Sequence, residues 1–373
     1  MAAARDKRSG DAESAPVTVA DGIHTHGVLN QHPNVSQPSQ DGAAAKVPGS
    51  ASNAGPSFRV GISEDSNKRW RRAMEDAHAF VYDFGGVHGQ GFFGIFDGHA
   101  GKDAAEWCGQ NFHQYLLKTL ELNQDKPVPD LLNATFHSVD KELANLATQK
   151  GSSSGCTAAV AFLRLEEDSG HPLKPTDDAE NGTVNDTGNE AAATRDQSNE
   201  RDGLWGKISK RFESSDNKGK DIPSVGPKRV LYTANVGDAR AVLCRGGKAV
   251  RLTYDHKGSD AQEAKRITDA GGFVMNHRVN GVLAVTRSLG DSAMKEFVVG
   301  SPYTTETVLG SEDSYLIIAC DGLWDVIEDQ EAVDLIKDIQ DPQVASQELL
   351  NHALSEFSTD NTSIMVIRFT PCS

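Results

Sequence analysis

The sequence predicts an α+β fold in which antiparallel sheets are covered by helices. Two observations carry this prediction. Short β-rich runs come in groups, the first between residues 58 and 96, and helical patterns flank these groups mostly in pairs. A doubly wound parallel sheet would instead alternate one strand with one helix along the chain.

The first half begins with three strand patterns and continues with two helices. FRVGI, AFVYDF and GFFGIF are short, β-rich runs broken by Gly and polar residues. Residues 102–120 carry apolar side chains at steps of three and four, which predicts a helix. A second helix is predicted over about residues 129–147, and SGCTAAVAFLRL is typical of a buried strand after it.

The second half returns to strands and then closes with helices and one last strand. RVLYTANVG and RAVLCRGGKAVRL predict strands, the latter a hairpin around Gly246 and Gly247. Residues 259–270 are predicted to be helical, and YLIIACDG to be a buried strand. Helices over residues 328–339 and about 341–357 precede the final strand, TSIMVIRF.

Two segments lack the patterns of a packed core. Residues 1–55 are rich in Ala, Ser, Gly, Asp and Gln without a hydrophobic period, which predicts a disordered tail. Residues 166–228 are rich in Asp, Asn, Thr and Gly, which predicts a disordered insertion. The basic and aromatic island LWGKISKRF within it is either a docking peptide or a chance cluster. One folded domain is therefore expected over residues 56–373, interrupted by this insertion.

Composition limits the class of protein. The chain has 373 residues, a net charge of −16 and five widely spaced cysteines without a Cys-x-x-Cys pair. The charge argues against nucleic acid as a main ligand, and the cysteine spacing argues against disulfides and thiolate zinc sites. No apolar run approaches the roughly 20 residues that span a bilayer. We expect a protein of a reducing compartment that binds neither nucleic acid nor membrane.

Acidic residues occupy the ends of four predicted strands. These residues are Asp97, Asp238, Asp321 and Asp360. Three of these four aspartates have a Gly as a neighbour, which lets the backbone come close to a bound cation. Asp-Gly is also a common turn pair, so each case alone is compatible with a simple turn. Four such cases, together with the adjacent pair Glu75 and Asp76, favour a cation site.

The candidate ligands all offer oxygen atoms, and the sequence has no Cys/His cluster that would favour a softer metal. This set of ligands predicts Mg²⁺ or Mn²⁺. Two such ions about 4 Å apart can share one carboxylate and acidify a water that attacks phosphorus. Arg71 is a candidate phosphate anchor, although Arg69 and Arg72 beside it are not distinguished by sequence chemistry. His99 is a candidate proton donor to the leaving group, and it is equally compatible with a residue that simply begins the following helix.

Eight strings resemble the metal-dependent protein phosphatases of the type 2C (PPM) family and stand in the order found there. They are RRAMEDAH, FGIFDGHAG, SGCTAAV, ANVGDAR, YDHKGSD, RVNGVLAVTRSLGD, ACDGLWDV and STDNTSIMV. Within the family, the chain is most similar to the fungal type that down-regulates stress-activated MAP kinase pathways. The resemblance implies a four-layer α-β-β-α sandwich, with two antiparallel sheets flanked by helix pairs. It also implies metal-dependent hydrolysis of phosphoserine and phosphothreonine in proteins.

The resemblance implies a role for each candidate ligand. Asp97 would bridge two Mg²⁺ or Mn²⁺ ions, and the carbonyl of Gly98 would bind one of them. Asp321 and Asp360 would bind the other ion. The remaining metal-site acids are Glu75 and Asp76, which would hold metal-bound waters, and Asp238, which with Asp321 would form a weaker third site.

The resemblance also selects Arg71 as the phosphate-binding arginine and His99 as the general acid. Gly258 and Cys156 depart from residues common in the family, but neither is at a ligand position. The expected partners are phosphoproteins, including MAP kinases and scaffold or adaptor proteins. The protein is expected to be a monomer and to act in the cytoplasm and nucleus. A pseudophosphatase should have lost ligand acids, and all are present here. A phosphatase of small metabolites is not distinguished by these residues.

Overall fold

The computed structural model describes residues 57–167, 170–173 and 227–371. The predicted tail over residues 1–55 lies outside the described residues, as does most of the predicted insertion. Glu166 and Lys228, at the predicted insertion boundaries, lie opposite each other in two paired strands. The segment between them therefore leaves and re-enters one sheet at neighbouring positions.

The described strands follow the chain in this order: β1 (Phe58–Asp65), β2 (Ala77–Tyr82), β3 (Gly91–Phe96), β4 (Gly98–His99), β5 (Gly155–Cys156), β6 (Ala158–Glu166), β7 (Lys228–Val236), β8 (Arg240–Arg245), β9 (Lys248–Arg251), β10 (Val274–Met275), β11 (Arg278–Val279), β12 (Leu289–Gly290), β13 (Tyr303–Val308), β14 (Asp313–Ala319) and β15 (Thr362–Phe369). The helices are α1 (Asp103–Leu122), α2 (Val128–Lys150), α3 (Ala261–Asp269), α4 (Asp321–Trp324), α5 (Asp329–Ile336) and α6 (Pro342–Ser355).

Two five-stranded antiparallel sheets form the centre of the fold. The first sheet has the order β1-β15-β14-β8-β9, and the second has the order β13-β7-β6-β3-β2. Their facing surfaces share one apolar core that includes Phe93, Leu316 and Met365. Alternate residues along each strand point to opposite faces, so each sheet also has an outer apolar face for helices.

Helices cover both outer faces. Helices α1 and α2 pack on the second sheet through a core that includes Phe92, Phe112 and Phe136. Helices α4, α5 and α6 pack on the first sheet around Trp324 and Leu349. The four-layer sandwich expected from the sequence is therefore confirmed. None of the helices in the described ranges is long and apolar enough to cross a membrane.

The predicted strand YLIIACDG is too long. Strand β14 ends at Ala319, where its pairing with both neighbouring strands also ends, and Asp321 begins the short helix α4. Asp321 is therefore the first residue of a helix beyond the end of its strand and not a member of the sheet. Strand β13 was not predicted, since YTTETV has no apolar run and pairs at a sheet edge with β7 alone.

Candidate metal centre

Three of the predicted acids converge at one end of the sandwich. Asp97 follows β3 and Asp238 follows β7, both in the second sheet, whereas Asp321 follows β14 in the first. Each offers a carboxylate oxygen that lies within 4.8 Å of the other two. The two sheets therefore contribute jointly to one acidic cluster.

Burial and mutual repulsion dominate the electrostatics of this cluster. Burial raises the pKa of Asp97 well above its usual range, and the charge of Asp321 raises it further. The pKa of Asp321 is also raised well above its usual range, first by burial and then by Asp238. Burial also raises the pKa of Asp76, to about 6. Carboxyl groups arranged in this way cannot all ionise without a positive partner.

Asp76 provides an independent indication of a missing positive partner. Its side chain is buried, and neither carboxylate oxygen meets the geometry of a hydrogen bond to another described residue, although the nearby Ser363 hydroxyl and Cys320 thiol lower the pKa of Asp76. Leaving a buried acceptor unsatisfied costs about 1–3 kcal/mol, and more for a charged group. A set of buried oxygen donors fits hard divalent cations such as Mg²⁺ or Mn²⁺, together with the waters that such ions retain.

Two glycines allow the segments of the centre to approach. A side chain at Gly98 would overlap the backbone carbonyl of Glu75, and one at Gly322 would overlap the carbonyl of Asn361. The Gly beside Asp97 and the Gly beside Asp321 thus serve close packing of backbone against backbone. They hold the loop containing Glu75 and the start of β15 next to the two aspartates.

Arg71 and Asp360 form an ion pair at the rim. The Arg71 guanidinium donates to Oδ2 of Asp360, and its Nε donates to the carbonyl of Thr359 at 3.3 Å. Burial raises the pKa of Asp360, and the positive charge of Arg71 opposes this shift. The charge of Asp360 in turn raises the pKa of Asp97. Asp360 therefore lies between the acidic cluster and a guanidinium that is 47% exposed.

Asn361 is a positioning residue that the sequence did not reveal. Its buried Oδ1 accepts from the backbone N–H of Glu75 at 2.9 Å. Its Nδ2 donates to the carbonyls of Ser66 and Ala73, at 2.8 and 3.1 Å. One amide side chain therefore ties the loop after β1 to the residue beside Asp360. No periodicity marks such a contact, because its partners lie 286 to 295 residues away.

His99 is held by Asp291, a second residue without a predicted role. His99 Nε2 lies 2.7 Å from Oδ2 of Asp291, which also accepts from the Ser288 hydroxyl. Asp291 is buried and adopts the left-handed conformation with φ 45°. The available signal was the pair Gly290-Asp291 at the end of β12, which repeats the pattern at Gly237-Asp238.

Lys257 lies beside the third candidate position. Its ammonium group is 3.4 Å from Oδ2 of Asp238 and 3.1 Å from Oδ1 of Asp325. Burial raises the pKa of Asp238, and the charge of Lys257 opposes the shift. Asp325 was not among the predicted acids, and it is exposed at this edge of the centre.

Comparison with known proteins identifies the family. The profile described as "Protein phosphatase 2C" matches residues 60–167 and 189–362. "Protein phosphatase 2C homolog 1" of Schizosaccharomyces pombe is 42% identical over 87% of this chain and 75% of its own length. The protein of the same name from Saccharomyces cerevisiae is 41% identical over 83% of this chain and 93% of its own. The chain belongs to the protein phosphatase 2C family.

Solved structures support the fold. Serine-threonine phosphatase 2C from Toxoplasma gondii superposes with a TM-score of 0.61 at 18% identity, covering 85% of this chain and 96% of its own. The structure of a C. elegans sex determining protein superposes with a TM-score of 0.62 at 20% identity. The match covers 86% of this chain and 67% of that protein's chain. The chain is accordingly a protein-serine/threonine phosphatase of a metal-dependent family, and its substrates are phosphoproteins.

Metal binding is expected to stabilise the protein more at higher pH. The pKa of Asp76 is raised from 3.8 to about 6, so protonated Asp76 stabilises the metal-free fold below about pH 4, and this contribution is lost as pH rises through about 6. A cation competes with these protons. The rise in Tm caused by Mg²⁺ or Mn²⁺ should therefore be larger at about pH 7.5 than at about pH 5.5.

Differential scanning calorimetry at both pH values measures this difference. Asp76→Asn should reduce the difference between the metal-induced rises in Tm at the two pH values. Asp338→Ala, which changes an exposed acid beyond α5, should leave this difference unchanged. An equal rise in Tm at both pH values would contradict the competition between proton and metal.

Proposed function

We propose that this chain hydrolyses phosphoserine and phosphothreonine in proteins at a centre of two divalent cations, Mg²⁺ or Mn²⁺. The observation that carries the proposal is the convergence of Asp97, Asp238 and Asp321 within 4.8 Å, where the ammonium group of Lys257 lies beside Asp238. When bound, the ions would supply an activated water and stabilise the charge that develops on the phosphoryl group.

The assignments to individual residues follow the family roles. Asp97 and the Gly98 carbonyl would hold one ion, with Asp97 shared by the second. The second ion would also take Asp321 and Asp360. Waters on the ions would be held by Glu75 and Asp76, and the unsatisfied carboxylate oxygens of Asp76 support its role. Asp238 would contribute to a weaker third site beside Lys257.

Arg71 would bind the substrate phosphate. Its guanidinium already bonds an anion, the carboxylate of Asp360, and nearly half of its side chain is exposed. A guanidinium offers two parallel N–H groups that match phosphate oxygens as well as carboxylate oxygens. A phosphoryl group arriving from solvent can therefore replace Asp360 as the anion that Arg71 holds.

His99 would donate a proton to the leaving serine or threonine oxygen. Asp291 accepts from its Nε2, which orients the ring and leaves Nδ1 available to the substrate. The alkoxide of serine is a poor leaving group, so a proton donor at this position accelerates the cleavage of a protein substrate. Asp291 would act as the residue that positions this donor.

We further propose that the physiological targets include proteins of stress-activated MAP kinase pathways, met in the cytoplasm and nucleus, with scaffold or adaptor proteins as further partners. The motif resemblance to the fungal type supports this, and the two fungal relatives share the family domain. We also propose that the chain acts as a monomer. The island LWGKISKRF lies outside the described residues.

A phosphoproteome comparison tests this proposal. Cells whose only copy carries Asp97→Asn should accumulate phosphothreonine and phosphoserine in MAP kinase pathway proteins after stress, relative to cells with the unchanged chain. Cells carrying Asp338→Ala serve as the control and should not differ. A rise confined to proteins outside these pathways would contradict the proposed target class while leaving the phosphatase assignment intact.

A further inference from the structure

Two arginines beside Arg71 bind nothing in the part of the chain that the structure describes. Every other arginine there bonds a carboxylate or a backbone carbonyl. Arg69 and Arg72 do neither, and both are exposed. The Arg69 guanidinium lies over the ring of Trp70, 5.2 Å from its centre. Their guanidinium donors are therefore available to a ligand.

The turn that carries these arginines is anchored to the metal centre. Asn67 is buried, and its Nδ2 donates to the carbonyl of Ser358 at 2.6 Å and to that of Asp360 at 3.2 Å. The backbone N–H groups of Trp70 and Arg71 donate to the carbonyl of Asn67, at 2.8 and 3.0 Å. The backbone of the turn is thus held at fixed positions relative to Asp360.

Arg69 and Arg72 are close neighbours of the proposed phosphate anchor, Arg71, along the chain. Consecutive Cα atoms are about 3.8 Å apart, so the Cα of Arg69 lies within about 7.6 Å of that of Arg71, and the Cα of Arg72 at about 3.8 Å. Trp70 restricts Arg69 through the cation–π contact. Arg69, Arg71 and Arg72 are all exposed on this anchored turn, so a substrate bound at Arg71 lies within the reach of two further arginine side chains.

The local charge is opposite to that of the molecule as a whole. The chain has a net charge of −16, yet residues 68–72 read KRWRR and contain four cations. Solubility does not require such a segment in an acidic protein. Guanidinium groups suit phosphate in particular, because their planar fork matches two of its oxygens. A polyanion such as nucleic acid would also face the acidic cluster and the overall negative charge.

We propose that Arg69 and Arg72 form a subsite for a second phosphate on the same substrate segment. The subsite rests on the proposed function, since it acts while Arg71 holds the phosphate to be hydrolysed. In an extended peptide, residues two positions apart are separated by about 7 Å. That distance is comparable to the upper limit of about 7.6 Å between the Cα atoms of Arg69 and Arg71, so the preferred substrate is a segment phosphorylated at two nearby residues.

Peptide kinetics test the subsite. Three peptides share one sequence with phosphothreonine as the scissile residue, and two positions away they carry phosphotyrosine, Asp or Ala. For the unchanged chain, kcat/KM should be about tenfold higher for the doubly phosphorylated peptide than for the Ala peptide. In Arg69→Gln/Arg72→Gln this ratio should fall close to one. Raising the salt concentration should lower the wild-type ratio as well, because the site is exposed.

Lys118→Gln/Lys141→Gln is the matched control, since it removes two exposed cations from α1 and α2 and should keep the wild-type ratio. An unchanged ratio in the arginine variant, or an equal fall in the lysine control, would overturn the subsite. If kcat/KM rose as much for the Asp peptide as for the doubly phosphorylated peptide, relative to the Ala peptide, the subsite would not be specific for phosphate. If the unchanged chain hydrolysed none of the three peptides, the proposed function itself would fail, and the subsite with it.

Discussion

Asp97→Asn is expected to lower kcat/KM for a phosphothreonine peptide by at least about a thousandfold, which corresponds to about 4 kcal/mol of transition-state stabilisation. Asp97 is a half-buried member of the acidic cluster, and four other aspartates raise its pKa. An amide of nearly the same shape keeps the packing but cannot bridge two cations. Steady-state kinetics with saturating Mn²⁺ or Mg²⁺ measure the loss.

Folding and metal binding must be monitored alongside activity. Asp97→Asn removes one charge from a group of mutually repelling carboxylates, so the metal-free variant should be at least as stable as the unchanged chain. The rise in Tm on adding Mn²⁺ should be largely lost. Asp338→Ala should retain full activity. A well-folded Asp97→Asn variant that keeps more than a few percent of the activity would refute the proposed bridging role.

Removal of divalent cations is expected to abolish hydrolysis, and Mg²⁺ or Mn²⁺ to restore it. Without divalent cations, the positive groups that pair with these carboxylates in the described part of the chain are Lys257, beside Asp238, and Arg71, on Asp360. Cys320 beside the cluster is not an activated nucleophile either, because burial raises the pKa of its thiol well above its usual range. Activity after exhaustive chelation should therefore be within error of zero.

Circular dichroism of the chelated protein separates loss of chemistry from loss of fold. The three apolar cores are built from the two sheets and their covering helices, so the metal-free chain should keep its secondary structure. Recovery should follow the metal concentration and saturate. Restoration by Zn²⁺ alone, or full activity in the chelated protein, would point to a different chemistry.

Local signals explain which parts of this structure were predictable. Residues 102–120 and 129–147 have helical periodicity, and helices α1 and α2 match them closely. The Gly246-Gly247 pair predicted the β8–β9 hairpin, because both residues adopt positive φ there. Candidate ligands were visible because an acid beside Gly at a strand end is itself a local pattern.

Contacts between distant segments were not predictable in the same way. His99 and Asp291 are separated by 192 residues, and Arg71 and Asp360 by 289. Only the packing of the two sheets brings such pairs together, and single residues carry no periodicity that would reveal a partner. The polar edge strand β13 was missed for a related reason, since its pairing with β7 rather than its own apolar content makes it a strand.

The pairing of β1 with β15 has a consequence for biosynthesis. All eight residues of β1 pair with β15, from Phe58 opposite Phe369 to Asp65 opposite Thr362. The loop of Arg71 and Glu75 follows the first strand, whereas Asp360 and Asn361 precede the last. Arg71 is synthesised early, because it follows the first strand. Its partner Asp360 emerges from the ribosome only when nearly the whole domain has been translated. A nascent chain therefore carries no assembled phosphatase, and activity begins only with a completed domain.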